Sequence, residues 1–521
     1  MSVDDVRSEE GVSLGDLVRE LGEGARLEGD PRARVFGVHH DSRRVRPGDL
    51  FVVRRGRTHD GASFVASARD AGAAALLCAE GTEISARGLP VVWVKDAVSA
   101  LAVAASFVYD HPSFGLDVVG ITGTNGKTTT THLVRAAIDG ALGRAACGLV
   151  GTVGYRYGDL AWEASHTTPE ADELARAMAG MRRAGATHVA MEVSSIALEL
   201  GRVRGVRFAV GAFTNLTQDH LDFHGTMEAY AAAKRRLFEE HGPMSAVVCV
   251  DGDFGRTLAG TVRAPVLRVS ARPGASVDEA DLAPVRARMD ARGLDAELRT
   301  PEGPLALRSP LVGAHNLENL VVALGVAYAL SLDLGRAAGA LAREAGAPGR
   351  LERCDGEGDD VTVLVDYAHT PDALARVISA LRAVTDRRIV CVFGCGGDRD
   401  PGKRGPMGRA VAELADVAVV TSDNPRTEDP ALIAAAVERG VRDGGLAPLP
   451  EGALSRGRGY VLELDRRAAI ELAVLGSAPG DLVLIAGKGH ESYQIVGAEK
   501  RAFDDRVEAR RALAARRGGR S

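Results

Sequence analysis

An apolar run, Leu116 to Ile121, leads without a break into Thr-Gly-Thr-Asn-Gly-Lys-Thr-Thr-Thr at 122–130 and then into a helical stretch. Strand, glycine turn and helix start in that order gather backbone N–H groups and a positive helix end around one point, where a phosphate can be held. In such a loop Lys127 meets the terminal phosphates and Thr128 the metal ion that accompanies them. The strict phosphate-loop spacing calls for glycine at 121, where this chain has Ile121 between Gly120 and Gly123. A bare glycine turn would have no use for a Lys-Thr pair directly after Asn-Gly, so the segment reads as a nucleotide site. By itself it does not separate a ligase from a motor or a switch.

The rest of the chain sets this loop in an α/β protein. With 521 residues and roughly 100–200 per domain, about three domains are expected. Up to about Asp110, short strands such as Ala74 to Cys78 and Val91 to Val94 mix with Ala-rich helical stretches, a small α/β unit. His-Pro-Ser-Phe-Gly, 111–115, is a turn-rich hinge. Strands at Val189 to Val193, Ala209 to Phe213 and Ala246 to Val250 then alternate with helices, the pattern of a parallel sheet covered on both faces. Helices from about Asn319 to Leu330 and Gly335 to Glu344 stop at Pro348 and Gly349. The alternation resumes with strands at Val361 to Val365, Ile389 to Phe393, Val417 to Thr421 and Leu482 to Ala486. The predicted domains are therefore 1–112, 113–346 and 347–521.

Hydrophobic residues make up 45% and charged residues 26%, ordinary for a packed globular chain. A formal charge of −6 over this length gives no reason to expect nucleic acid or an anionic membrane as partner. The six cysteines show no zinc-type spacing and are expected to be reduced thiols. The start lacks the order of a signal peptide, and the apolar run Leu320 to Leu330 is too short to span a bilayer, so a cytoplasmic protein is expected. The basic segment Arg506 to Arg520 reads as a solvated, frayed helix end.

Eleven motifs occur in one order: GTNGKTT (Gly123 to Thr129), HTTPE (His166 to Glu170), EVSS (Glu192 to Ser195), DHLDFHG (Asp219 to Gly225), YAAAK (Tyr230 to Lys234), GAHN (Gly313 to Asn316), PGRLE (Pro348 to Glu352), DYAHTPDAL (Asp366 to Leu374), FGCGGDRDPGKR (Phe393 to Arg404), DNPR (Asp423 to Arg426) and AGKGHE (Ala486 to Glu491). Together they closely resemble the Mur ligases. DYAHTPDAL, GCGGDRD and DNPR resemble the branch of that family that joins diaminopimelate to UDP-MurNAc-L-Ala-D-Glu. The resemblance implies a UDP-sugar-binding first domain, a central ATPase domain and a Rossmann-like third domain for the incoming amino acid. It implies an ATP-dependent amide ligase of peptidoglycan precursor synthesis, expected as a monomer. Folylpolyglutamate synthetases, lysine-adding Mur enzymes, a non-ligase ATPase and a silent homologue are the alternatives.

By the same resemblance, Gly123, Thr124, Asn125, Gly126, Lys127, Thr128 and Thr129 bind ATP, joined by Asn316, Arg350 and Asp366. Thr128, Glu192 and His220 surround magnesium, and Lys234 is the lysine that the family carries as a carbamate, made with CO2. Lys127, Glu192, His220 and Lys234 form the catalytic set. Read alone, Lys234 would be a solvated helix lysine and Asn316 a helix N-cap. Ser42, Arg57, Thr58, His59, Thr167, Thr168, Ser194 and Arg202 are implied for the UDP-MurNAc-dipeptide. Ile196 and Leu200 depart from the family pattern there, and Leu200 has no side-chain hydrogen bond to offer. Arg399, Asp423, Asn424, Pro425, Arg426, Gly487 and Glu491 are implied for meso-diaminopimelate. Its far end carries an ammonium and a carboxylate, and the arginine forks suit the carboxylate. With lysine bound, those arginines would lack a partner, at a cost on the order of 3–5 kcal/mol if fully buried.

Overall fold

The computed structural model describes residues 3–55, 60–86 and 88–519. The chain separates into two compact units. The first holds the residues up to Arg286 with Glu297–Leu307 and Glu318–Leu341; the second holds Ala287–Ala296, Arg308–Leu317 and the chain from Ala342 onward.

The first unit carries two large sheets, beside a short pairing of Val12–Ser13 with Arg34–Val35. Five strands, ordered Arg26–Glu28, Val91–Val94, Ala75–Ala79, Asp49–Val53 and Gly37–His39, form the smaller one, parallel except at its first edge. The larger runs Leu160–Trp162, Gly154–Tyr157, Cys147–Gly151, His188–Glu192, Asp117–Thr122, Val210–Phe213, Ser245–Cys249 and Val266–Val269. Its last six strands are parallel, and a short antiparallel edge closes the other side. The helix Ala171–Arg183 explains why these two sheets make one unit. Ala171, Ala175 and Ala179, four residues apart, pack into the core of the small sheet, whereas Leu174, Ala177, Met178 and Met181 pack into that of the large one. Between them the fully buried Arg176 guanidinium meets His39 (3.1 Å), the Val38 carbonyl (3.4 Å) and Asp172 (3.3 Å).

The second unit is built on a sheet ordered Glu352–Arg353, Thr362–Asp366, Leu482–Ala486, Ile389–Phe393, Val417–Val420 and Gly459–Leu462, parallel after its first strand. Both faces are apolar, which is why these strands are continuous hydrophobic runs. Leu364, Cys391, Phe393 and Leu484 face the helices Pro371–Arg382, Arg404–Leu414 and Pro430–Asp443; Val363, Val365, Val390, Val392 and Ile485 face Arg466–Gly476 and Asp505–Gly518.

Three differences from expectation have physical causes. The helix placed at 319–330 begins earlier, at Ala314, so Asn316 lies inside it and is not its N-cap; the Asn316 side chain donates back to the Val312 carbonyl at 2.8 Å. The basic C-terminal helix is anchored and not frayed, because Arg516 forks onto Asp360 (2.8 and 2.9 Å) and Arg510 pairs with Glu352 (3.0 Å). The strands Ala283–Asp290, Gly293–Thr300 and Gly303–Ser309 form a further sheet that the sequence does not advertise, since three or four residues of each strand are charged or exposed. The six cysteines are free and buried. Among the described residues no helix is long and apolar enough to cross a membrane.

The second unit's deepest ion pair joins Arg466 to Asp505 at 2.7 Å, both side chains fully buried. Removing one partner strands the other charge in the core. Asp505→Ala is expected to lower the unfolding free energy by about 3–5 kcal/mol, read from urea denaturation, whereas Arg467→Ala at the neighbouring half-exposed position should change it by under about 1 kcal/mol.

Candidate active site

The strand Asp117–Thr122 passes through the position where the strict loop pattern has glycine, so Ile121 is strand core and the turn is confined to Gly123–Gly126. The helix begins at Lys127. Gly123 (φ +152°) and Gly126 (φ +84°) cannot be replaced without conflict, because a Cβ would strike Thr214 Oγ1 at the first and Asn319 Oδ1 at the second.

The loop is stitched to the segment after the neighbouring strand Val210–Phe213. Thr124 N donates to the Asn215 carbonyl (2.8 Å), Asn125 N to Asn215 Oδ1 (3.0 Å), and Thr217 N to Thr124 Oγ1 (2.9 Å), while the Thr214 hydroxyl donates to the Asn125 carbonyl (2.7 Å). Thr130 donates to Asn319 Oδ1 at 3.1 Å. Lys127 Nζ donates to the carbonyls of Gly123 (2.8 Å) and Thr124 (2.9 Å). The Thr128 hydroxyl donates to Glu192 Oε2 at 2.8 Å, and Glu192 Oε1 accepts the Thr152 N–H at 2.7 Å. A hydroxyl and a buried carboxylate converging at a phosphate loop are hard oxygen donors of the kind magnesium takes.

Lys234 is buried and not a surface lysine. Its Nζ donates to the same Gly123 carbonyl at 2.8 Å and lies 4.3 Å from the centre of the Tyr230 ring. Burial, reinforced by the nearby Lys127 charge and only partly opposed by Asp219, holds its amine well below the ordinary lysine range. His220 is half-exposed, with left-handed backbone (φ +51°) and Asp219 at 3.7 Å, and its ring stands edge-on to Tyr230. Its neighbour His224, not singled out from sequence, reaches Ser195 Oγ at 3.0 Å.

Four of the residues assigned to the sugar-peptide substrate come together beside Glu192. Thr152 Oγ1 donates to Thr167 Oγ1 (3.2 Å), the Thr168 hydroxyl donates to the Glu192 carbonyl (2.9 Å), and Ser194 N donates to Thr168 Oγ1 (3.0 Å). Arg202 donates to the Thr168 carbonyl (3.1 Å) and pairs with Glu170 (2.7 Å), which Arg54 also holds (2.7 Å). Burial alone would raise the Glu170 carboxyl; the Arg54 and Arg202 contacts outweigh it and bring the group below its ordinary value. Ser42 is buried, Leu200 stays exposed, and Arg57, Thr58 and His59 lie outside the described residues.

In the second unit, motifs far apart in sequence meet at the carboxyl ends of the parallel strands. Gly349 (φ +66°) and Gly489 (φ +53°) pack backbone to backbone, with no room for a Cβ on either. The Arg350 guanidinium lies 4.9 Å from the centre of the Tyr367 ring. Asp366 is buried and accepts the N–H groups of Leu351 and Ala368, both at 2.8 Å; burial raises its carboxyl, against the pull of Arg350. Arg426 has left-handed backbone (φ +53°) and donates to the Gly397 carbonyl at 2.7 Å, and Pro425 and Asn424 are buried beside it. Arg399 is exposed, so the desolvation cost expected for an unpartnered arginine fork does not apply at that position. Asn424 donates to Glu491 Oε2 at 3.1 Å. Gly487 (φ +123°) stands close to Asp423. The buried Lys488, which sequence reasoning passed over although it lies inside the AGKGHE motif, sits between Asp423 (3.1 Å) and Glu491 (3.7 Å).

A parallel-sheet phosphate loop and a second parallel sheet with its charged groups at the strand ends define a nucleotide-binding α/β architecture. Family models match three stretches: the Mur ligase family catalytic domain at 34–109, the Mur ligase middle domain at 121–327 and the Mur ligase glutamate ligase domain at 349–489. The chain belongs to the Mur ligase family and is an ATP-dependent ligase. It is 46% identical over 488 residues to a UDP-N-acetylmuramoyl-L-alanyl-D-glutamate--2,6-diaminopimelate ligase of Gloeobacter violaceus, covering 94% of this chain and 95% of the relative. The enzyme of the same name from Streptomyces coelicolor is 44% identical over 507 residues, covering 96% of each. A solved structure of a ligase of that name superposes with a TM-score of 0.69 at 32% identity, covering 97% of this chain and 99% of the other.

The loop's own support contains a titrating group. Asn215, which presents Oδ1 to the loop, donates its Nδ2 to Glu318 Oε1 at 2.6 Å, and burial pushes the Glu318 carboxyl up from 4.5 to about 7. A folded value above the unfolded one means stability is lost as pH rises from about 4.5 through about 7. Glu318→Gln keeps the acceptor without the charge. It is expected to raise the melting temperature at pH 8, by the equivalent of up to roughly 3 kcal/mol, with the gain vanishing near pH 4.5.

Proposed function

We propose that this ligase adds meso-2,6-diaminopimelate to the D-glutamate of UDP-MurNAc-L-Ala-D-Glu, giving the UDP-MurNAc-tripeptide, ADP and phosphate in peptidoglycan precursor synthesis. The observation that carries the proposal is the second unit's constellation of Arg426, Asn424, Asp423 and Glu491 at the ends of parallel strands, in a chain whose curated relatives named for this reaction match it nearly end to end. We assign residues 1–112 to the UDP-sugar, 113–346 to ATP and 347–521 to the amino acid, acting as a monomer in the cytoplasm.

A carboxylate is a poor electrophile, and the D-glutamate oxygen becomes a leaving group by taking the γ-phosphoryl of ATP. Two anions must meet for that transfer, so the site needs cations and a water-poor surround. The N–H groups of Gly123 to Thr129 and the Lys127 ammonium receive the phosphates, Lys127 exchanging its loop carbonyls for phosphate oxygens. Thr128, Glu192, His220 and Lys234 would hold magnesium, which when bound supplies charge neutralisation between the phosphoryl oxygens. The downward shift of the Lys234 amine favours the unprotonated form that adds to CO2, and the carbamate so formed, after loss of a proton, is an oxygen donor where the amine is not. Asn316, Arg350 and Asp366 hold the rest of the nucleotide. Thr167, Thr168, Ser194 and Arg202, with Ser42, Arg57, Thr58 and His59, hold the sugar-peptide. The acceptor's far carboxylate pairs with Arg426 and Arg399 and its ammonium with Asp423 and Glu491. Pro425 and Gly487 shape that wall. The reacting amine attacks the acyl carbon, and phosphate leaves with the C–O bond electrons.

ADP release and product mass, measured with magnesium, bicarbonate and UDP-MurNAc-L-Ala-D-Glu, test this. Release is expected only with a diaminopimelate, the meso isomer first, and with an adduct of matching mass. Preference for lysine would overturn the acceptor assignment, and release without the nucleotide peptide would leave a bare ATPase. Lys127→Ala is expected to lower turnover by at least about 1,000-fold in the same assay.

A further inference from the structure

One buried cation in the amino-acid-binding unit has no part in the reaction as described. Lys488 follows the strand Leu482–Ala486 and is fully buried. Its Nζ donates to Asn424 Oδ1 at 2.8 Å and to the Tyr493 carbonyl at 2.9 Å, with Asp423 Oδ1 at 3.1 Å and Glu491 Oε2 at 3.7 Å. Three segments meet at this ammonium: the DNPR turn, the AGKGHE turn and the hairpin formed by Tyr493–Val496 and Glu499–Ala502. The hairpin is fixed to the DNPR turn on either side. Ile495 N donates to Asn424 Oδ1 (3.0 Å), Gln494 Nε2 to the Asp423 carbonyl (2.7 Å), Arg426 N to the Ile495 carbonyl (3.1 Å) and Gly497 N to the Arg426 carbonyl (2.7 Å). The last two contacts hold Arg426 in the left-handed backbone that aims its guanidinium at Gly397.

If only space had to be filled, an apolar side chain would be the cheaper occupant, because burying an ammonium is costly. The charge has a consequence instead. Among the groups buried or half-buried there, Asp423 and Glu491 supply two negative charges and Lys488 and Arg426 two positive ones, while the neighbouring Arg466 is cancelled by Asp505 and the exposed Arg399 is screened by solvent. The pocket is therefore close to neutral. Asp423 Oδ1 nevertheless remains buried without a hydrogen bond, since the Lys488 contact lacks the geometry for one, so it retains capacity for a substrate ammonium. A neutral pocket with separated charges suits the zwitterionic end of an amino acid. Without Lys488 the same pocket would be net negative and suit a lone ammonium.

We propose that Lys488 is a positioning residue that orients Asn424 and Glu491 and, by balancing their pocket's charge, selects an acceptor with a zwitterionic far end over one ending in an ammonium alone. This rests on the proposed acceptor site. Lys488→Gln and Lys488→Arg are compared with the parent enzyme in the ADP-release assay, with kcat and KM measured separately for meso-diaminopimelate and lysine and folding checked by thermal melt. Lys488→Gln is expected to raise KM for diaminopimelate more than it lowers kcat and to reduce the diaminopimelate-to-lysine ratio of kcat/KM by about tenfold or more. Lys488→Arg, which keeps the charge, should hold that ratio within about threefold of the parent's. A folded Lys488→Gln whose activities on both acceptors fall equally would overturn the proposal and leave Lys488 a structural residue. Should Lys488→Gln not fold, Lys488→Arg decides: a collapsed ratio despite the retained charge contradicts the proposal, and a kept ratio supports it. Failure of the acceptor assignment itself shows separately, as a parent enzyme that does not use diaminopimelate.

Discussion

The Thr128 hydroxyl donating to Glu192 is the contact on which the first unit's chemistry depends. It joins the start of the helix after one parallel strand to the end of the next, where Glu192 and Ile121 lie in register. Parallel strands put their carboxyl ends, and the N-termini of the helices that follow, on one edge of the sheet. Glu192 is then held from three directions: Thr152 N fixes one carboxylate oxygen, Thr128 the other, and Thr168 takes its carbonyl. Thr152, Thr168 and the phosphate loop are thus positioned by one residue, and displacing Glu192 would disturb all three.

The second unit solves the same problem with a different device. Asp366, Asp423 and Gly487 all lie at or just beyond the carboxyl ends of its parallel strands, but the loops there are long and must be pinned to one another. Backbone contact between Gly349 and Gly489, Arg404 Nη2 donating to both Glu428 oxygens (2.8 Å each) and the Lys488 ammonium supply the pins. Glycine serves where two backbones must touch, and buried charge where polar groups from three segments converge.

Much of this was legible from residue order. The parallel strands singled out from their apolar runs appear within a residue or two of where those runs place them, because strands buried on both faces have little else to be, whereas Cys147–Gly151, Val266–Val269 and Gly459–Leu462 were not singled out. The phosphate loop was legible because Lys-Thr after Asn-Gly has few other uses. Less could be read where the physics is not periodic. The hairpin Tyr493–Ala502 carries Gln494, Glu499, Lys500 and Arg501 and has no apolar signature, yet it braces the DNPR turn. Lys234 and Lys488 are buried lysines whose environment comes from segments distant in sequence, and no local pattern distinguishes them from solvated lysines. Asn215 and Asn319, which support the loop, follow a strand and lie inside a helix, and only the fold brings them to Asn125 and Thr130.

Activation of a substrate carboxylate by the phosphate loop and Glu192, before the amine arrives, is the step on which the proposed function rests. It is tested most directly with UDP-MurNAc-L-Ala-D-Glu carrying oxygen-18 in the D-glutamate side-chain carboxylate, followed to the inorganic phosphate released during ligation. An acyl phosphate route transfers one labelled oxygen to each phosphate formed. Phosphate free of label, alongside a correctly formed amide, would contradict the account.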